Sequence, residues 1–221
     1  MQSRKILLLS RPKHRIRVVL LDDHPVVALG VETFLRGYAD FEIAQTVHSA
    51  DALFTAIESD TYDVALVDFY LPDDRVDGAA FIRRLRVIAP SLVIVVLSAA
   101  RGADAECVCH RAGANAFLEK ATPLPLIADA VRDAVGSPRK FFAARDGRVE
   151  AIVPLPRADT LSSAEMEVLR YIGEGLSVSQ TAERLRRSKK TVSTHKRSAM
   201  RKLQVADDLS LALYLKEKFR A

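Results

Sequence analysis

The chain of 221 residues has room for two modest domains, and 49% of it is apolar, enough for more than one core. No apolar run approaches the roughly 20 residues of a membrane span, which predicts a chain with no membrane partner. The net charge of +5 hides a split: residues 1–17 carry six basic side chains and no acid, residues 18–156 a net −7, and residues 157–221 a net +6. That distribution predicts an acidic body and a basic C-terminal piece that meets a polyanion.

Residues 1–16 read as a basic tail, because the apolar run Ile6–Leu9 is too short for a signal-peptide core. Cys107 and Cys109 sit in a predicted helix and point to different faces, so they could not easily bridge. A reducing cytoplasm is the expected location. The first ordered element is a strand over Arg17–Leu21 that delivers Asp22 and Asp23 before Pro25. A helix follows to Arg36, closed by Gly37; then come a strand over Phe41–Val47 and a helix over Ala50–Glu58. The run Val64–Val67 reads as a strand buried on both faces, ending on Asp68 with Pro72 beyond it. An Asp-rich loop (Asp73, Asp74, Asp77) leads through Gly78 to a helix stopped before Pro90. Leu92–Leu97 is another buried strand, ending at Ser98; a helix over Ala103–Ala112 stops at Gly113. The strand Ala116–Glu119 ends beside Lys120, and a helix over Leu124–Val135 follows. Five strands alternating with five helices predict an α/β, doubly wound, five-stranded parallel sheet over residues 17–136.

In such a sheet Asp22, Asp23, Asp68, Ser98 and Lys120 all emerge at one edge, where open α/β folds bind ligands. Three like charges together call for a cation, and an all-oxygen site suits Mg²⁺. A hydroxyl and an ammonium beside them can hold phosphoryl oxygens, so Asp68 reads as the centre of a metal-dependent phosphoryl-acceptor site. Taken singly, each of these residues is as well explained as a strand end, a cap or a solvated charge. Their common placement is what favours the site.

Residues 137–159 have little periodicity and read as a linker, with Phe141-Phe142 available to dock on a domain. Residues 160–221 then predict a small all-α domain of four helices. Ser162 with Glu165, and Ser177 with Gln180, are capping-box pairs that open the first two; Ser188 caps a third over Lys189–Leu203, and a fourth runs Ala206–Phe219. Two short helices, a tight turn and a longer basic helix fit a helix-turn-helix. In the third helix Val192, Ala199 and Leu203 share one side, while Lys190, Thr194, Arg197 and Arg201 share the other with Ser193 at its margin. Between Arg184 and Lys202 there are nine basic residues and no acid, whereas a merely solvated face mixes signs. The candidate contacts to double-stranded DNA are Lys190, Thr191, Ser193, Thr194, Lys196, Arg197 and Arg201, with Arg197 and Thr194 at base edges and the lysines on phosphates.

On Asp22-Asp23, Asp68, Ser98 and Lys120, the stretch Arg17–Val135 resembles the receiver domain of bacterial response regulators. The segment Leu161–Leu215 resembles the LuxR/NarL-type DNA-binding domain, most like its capsule-synthesis branch through Ser188–Ser193 and Lys196–Leu203. The resemblance implies that Asp68 is phosphorylated by a sensor histidine kinase or phosphotransfer protein, and that Asp23, Asp68 and the Tyr70 carbonyl hold Mg²⁺ with Asp22 helping through water. It implies that Ser98 and Lys120 meet the phosphoryl group while Phe117 follows as a switch aromatic. It also implies that phosphorylation at Asp68 controls homodimerisation, with the last helix at the contact, and sequence-specific DNA binding, the alternative being a phosphorylation-independent DNA-binding regulator acting with an auxiliary partner; no enzyme activity is implied beyond turnover of its own aspartyl phosphate. The residue after Lys120 is Ala121 rather than the proline many receivers carry. A haloacid-dehalogenase-type phosphatase needs a carboxylate two residues past the nucleophile, where Tyr70 stands. A single-stranded RNA binder needs stacking aromatics, which the basic helix lacks.

Overall fold

The computed structural model describes residues 15–71, 78–99, 103–154, 161–203, 205 and 207–218. Most of the basic tail and the acidic loop with Asp73, Asp74 and Asp77 lie outside the described residues, as do positions 155–160 of the segment read as a linker.

The N-terminal domain alternates as the apolar pattern predicts: β1 (Ile16–Leu21), α1 (Pro25–Arg36), β2 (Phe41–Val47), α2 (Ala50–Ser59), β3 (Val64–Asp68), α3 (Gly78–Ile88), β4 (Val93–Ser98), α4 (Ala103–Ala112), β5 (Ala116–Glu119) and α5 (Leu124–Gly136). The five strands are parallel in the order β2-β1-β3-β4-β5. Every residue of β3 and β4 is buried, as continuous apolar runs require when helices cover both faces. One face packs Val18, Leu20, Leu66 and Val95 against α1 and α5. The other packs Val19, Leu21, Val67 and Ile94 against α2, α3 and α4. Chain order reverses between β1 and β3, which sets the crevice at their C-terminal ends.

The sheet is larger than five strands. Inside the segment read as a linker, β6 (Phe141–Arg145) pairs parallel to β5, and β7 (Arg148–Ile152) returns antiparallel to β6. The count of five is therefore corrected to seven. The cause is the Asp146-Gly147 turn: both residues have positive φ (49° and 76°), the two-residue hairpin geometry that matches strand twist. The Asn115 amide donates to Pro138 O (2.7 Å) and Phe142 N–H to Asn115 O (2.9 Å), pinning the hairpin to the start of β5. Phe141 and Phe142 are both buried, one on each face.

Among the described residues the C-terminal part holds four helices: α6 (Ser163–Gly173), α7 (Val178–Arg184), α8 (Lys189–Lys202) and α9 (Asp208–Lys218). Both capping boxes form, and Ser188 caps α8 by accepting from the Thr191 N–H. Val168, Ala182 and Val192 lock α6, α7 and α8 together. No described helix is long and apolar enough to cross a membrane.

Candidate functional site

The ends of β1, β3, β4 and β5 bring the expected residues together. Asp22 and Asp68 are 1% and 3% exposed, and Lys120 reaches between them: its Nζ lies 2.7 Å from Asp68 Oδ2 and 2.9 Å from Asp22 Oδ2. The Tyr70 N–H donates to Asp68 Oδ1 at 3.1 Å. Ser98 is fully buried at the end of β4, and the Lys120 N–H donates to its carbonyl at 2.7 Å, which ties the two strand ends. Burial pushes the Asp68 carboxyl up to about 6; Lys120 and the Tyr70 N–H oppose that rise and Asp22 adds to it. The Lys120 ammonium is held above its usual range, because Asp68 and Asp22 outweigh its desolvation.

Ligand atoms of Asp22, Asp23, His24 and Asp68 all lie within 4.8 Å of one another. His24 escaped the sequence reading. Its Nδ1 sits 2.8 Å from Asp23 Oδ1 and 4.0 Å from Asp68 Oδ2, on the exposed rim of the acids. Its signal in the sequence is its adjacency to the acid pair. His48 was also missed: its ring meets the Asp22 carbonyl at 2.8 Å and steadies the end of β1. Phe117 is 2% exposed and pairs with Ala143 of β6, so the added hairpin makes its strand an interior one. The described chain has no cis peptide bond.

The basic helix is oriented as its sequence predicts. Val192 and Ala199 are fully buried, and Lys190, Thr194, Arg197 and Arg201 are exposed. Ser193 is half-buried at the margin. Three of the expected contacts carry local duties as well. Thr191 closes the cap, its hydroxyl 2.8 Å from that of Ser188. The Thr194 hydroxyl donates to Lys190 O at 2.8 Å, which leaves its methyl and one acceptor face outward. Lys196 turns toward α9 and meets Asp208 at 2.7 Å, so a phosphate must compete for it; that pair is exposed on the Asp208 side and weak. At the other end Lys202 reaches back to Glu165 of α6 at 2.6 Å.

A doubly wound sheet with an acid–lysine crevice, joined to a helix-turn-helix, defines a class. Residues 18–132 match the response regulator receiver domain family, and residues 159–215 the bacterial regulatory proteins of the luxR family. The chain belongs to the response regulators, in the branch with a LuxR-type C-terminal domain.

Within that class it is 31% identical over 214 residues to the transcriptional regulatory protein RcsB of Escherichia coli K12, covering 91% of this chain and 94% of that one. It is 28% identical over 203 residues to the Fimbriae Z protein of Salmonella typhimurium, covering 90% and 95%. Among solved structures, an RcsB–DNA complex superimposes with a TM-score of 0.71 at 29% identity, covering 91% of this chain and 99% of that one. RcsB of Salmonella enterica serovar Typhimurium, bound to promoter rprA with phosphomimetic BeF3-, gives 0.69 at 25% identity, covering 92% and 99%.

Proposed function

We propose that this chain is a phosphorylation-controlled transcription regulator, with Asp68 as phosphoacceptor and α8 as the helix that reads double-stranded DNA. The observation that carries the reading is the bridge of Lys120 between Asp68 and Asp22, in a crevice floored by Ser98, on the same chain as an acid-free basic helix. An Asp68 oxygen forms the new O–P bond while the bond from phosphorus to the donor breaks, and the donor leaves with the electron pair. With an acyl phosphate the leaving group is a carboxylate, and with a phosphohistidine it is an imidazole that takes up a proton. Lys120 is placed to pair with a phosphoryl oxygen and Ser98 to donate its hydroxyl to another, which spreads the charge of the transferring group. The carboxylates of Asp22, Asp23 and Asp68 and the Tyr70 carbonyl form a hard oxygen set suited to Mg²⁺, which would neutralise the phosphoryl charge. The chain thus acts as an acceptor in a phosphorelay rather than as a turnover enzyme. Its partners are a sensor kinase or phosphotransfer protein, duplex DNA and a second copy of itself, and it works in the cytoplasm. The receiver unit runs through the hairpin to Ile152, leaving a shorter linker than residues 137–159.

The decisive experiment treats the full chain with a small acyl phosphate and Mg²⁺ and maps the label by mass spectrometry. Label on Asp68, lost in Asp68→Asn, is the expected result. Undiminished labelling of Asp68→Asn at another residue would sink the assignment.

A further inference from the structure

The hairpin moves the edge of the sheet from β5 to β7, and among the described residues no strand pairs with that new edge. Phe142 of β6 donates its N–H to Asn115 O at 2.9 Å, so the even-numbered residues of β6 serve β5. The odd-numbered ones, Phe141, Ala143 and Arg145, face Ile152, Glu150 and Arg148 of β7. An antiparallel ladder alternates, so Val149 and Ala151 turn their N–H and C=O groups away from β6. Ala151 is exposed on that side. The strand holds no proline, and its register with β6 runs without a bulge, so two devices that commonly spoil an edge are missing from it. It carries charge instead, but of both signs. Arg148, 73% exposed, and Glu150 stand two residues apart on one face, 2.5 Å from each other.

We infer that β7 is a contact surface for a second copy of this chain, the two edges pairing antiparallel about a twofold axis at Val149. The register follows from phase and charge. An axis at an outward-turned residue gives reciprocal N–H···O bonds between the two copies of that residue. Centred on Val149, it sets Arg148 opposite Glu150 of the second copy and Glu150 opposite Arg148, at the close spacing of a non-hydrogen-bonded pair. Centred on Ala151, it would set Glu150 opposite Ile152 and Arg148 opposite Pro154, and neither charge would be answered. Centred on Glu150, it would oppose two carboxylates and break the phase of the ladder. An edge guarded by one sign of charge repels its own copy. This one is self-complementary, as a twofold contact requires. The inference deepens the proposed self-association and rests on it for the partner, but it does not depend on Asp68 or on α9. A strand of five residues makes a small interface, so the contact is weak and shows at high protein concentration.

The test is site-specific cross-linking of the full chain. Val149→Cys puts two thiols across the axis with Cα atoms about 5.5 Å apart, and a short bifunctional maleimide is expected to join them. Cys107 and Cys109 are buried, so the unsubstituted chain should stay unlinked and serves as the control. Added to Val149→Cys, either Arg148→Glu or Glu150→Arg sets like charges opposite each other and is expected to cut the linked fraction roughly tenfold. Mixing the two variants should restore it, because each then meets its complement. No link at position 149 in a chain that sedimentation shows to be dimeric overturns the β7 contact and leaves self-association standing. A chain that stays monomeric at every concentration overturns both. Equal linking in the single variants and in their mixture means chance collision, and overturns the contact too. Far-ultraviolet circular dichroism checks the fold. Should Val149→Cys fail to fold, Ala151→Cys is expected to link through a reagent spanning roughly 15 Å, the distance that four residues of strand impose.

Discussion

Two buried carboxylates in this chain each hold a lysine at nearly the same distance and end in opposite states. Asp68 meets Lys120 at 2.7 Å and is pushed up to about 6. Glu165 meets Lys202 at 2.6 Å and is held at about 2. Both side chains are nearly inaccessible to solvent. Burial works to raise both, more strongly at Asp68 deep at the sheet end than at Glu165 near the surface, and the donors that answer it differ as well. Glu165 sits in the first turn of a surface helix, with the Ser162 N–H and the hydroxyls of Ser198 and Ser162 joining Lys202 to stabilise its charge. Asp68 ends an interior strand, has one N–H donor, and shares its lysine with Asp22. A structural acid is given more donors than it needs. Asp68 is left short of them, the state that the proposed acceptor role requires, since it keeps lone pairs available to an electrophile.

The largest test of this contrast removes the lysines. Lys120→Ala leaves two neighbouring buried acids without a cation and should cost about 3–5 kcal/mol in urea unfolding. Lys202→Ala leaves Glu165 with its Ser162 and Ser198 donors and should cost distinctly less. Equal losses would mean that the hydroxyl and N–H donors around Glu165 carry little.

pH should next divide the two sites by sign. Asp68, raised in the folded state, stabilises the fold most below about pH 4 and loses that contribution as pH climbs to about 6, roughly 3 kcal/mol in all. Glu165, depressed, contributes above its unfolded value near 4.5 and loses its contribution as pH falls toward 2, again about 3 kcal/mol. In metal-free buffer the stability gained by Asp68→Asn over wild type should therefore grow between pH 4 and 7. The loss in Glu165→Gln should shrink below pH 4.

Exposed charge on α8 behaves differently again, because water screens it and little stability depends on it. Arg197→Ala should cost roughly 1–3 kcal/mol on a selected duplex and relax choice at one base position. Lys190→Ala should weaken all duplexes alike and lower the salt slope by about one unit. Binding of each variant to selected and scrambled DNA at several salt concentrations separates the roles. If Arg197→Ala keeps the full specificity ratio, Arg197 holds a phosphate and not a base.

Much of the architecture was legible because period and punctuation agree: β3 ends on Asp68, Gly113 closes α4, and Ser162 with Glu165 opens α6. The acid–lysine crevice was legible for the same reason, since parallel strands deliver their ends to one edge. The hairpin was missed although Asp146-Gly147 is a strong local signal, because the residues around it do not alternate cleanly: Phe141 and Phe142 are adjacent and both buried. The seat of Arg170 over the Tyr70 ring, 4.9 Å from guanidinium carbon to ring centre, was not legible in the sequence. On α6 Arg170 reads as an ordinary i, i+4 partner of Glu174, and only the meeting of two domains puts it on Tyr70.

Two helix ends give the smallest test, within the same C-terminal domain. α6 closes through Gly175 at φ 90°, with the Leu176 N–H on Tyr171 O and the Gly175 N–H on Ile172 O. α7 closes with the same pair of bonds, Arg187 N–H on Ala182 O at 2.9 Å and Arg186 N–H on Glu183 O at 3.1 Å, yet Arg186 carries φ 50°. Both are Schellman ends, which need a left-handed residue that glycine takes freely and arginine takes at a cost. The turn between α7 and α8 is therefore slightly strained, and it sets the angle at which the basic helix leaves. Asparagine tolerates this conformation better than arginine while keeping a side chain that limits the unfolded ensemble. Arg186→Asn should stabilise the domain by about 0.5 kcal/mol in thermal unfolding without DNA. It also removes one positive charge beside α8, so binding to all duplexes should weaken slightly and equally. A stability loss instead would mean that the Arg186 side chain supports the turn by more than its strain costs.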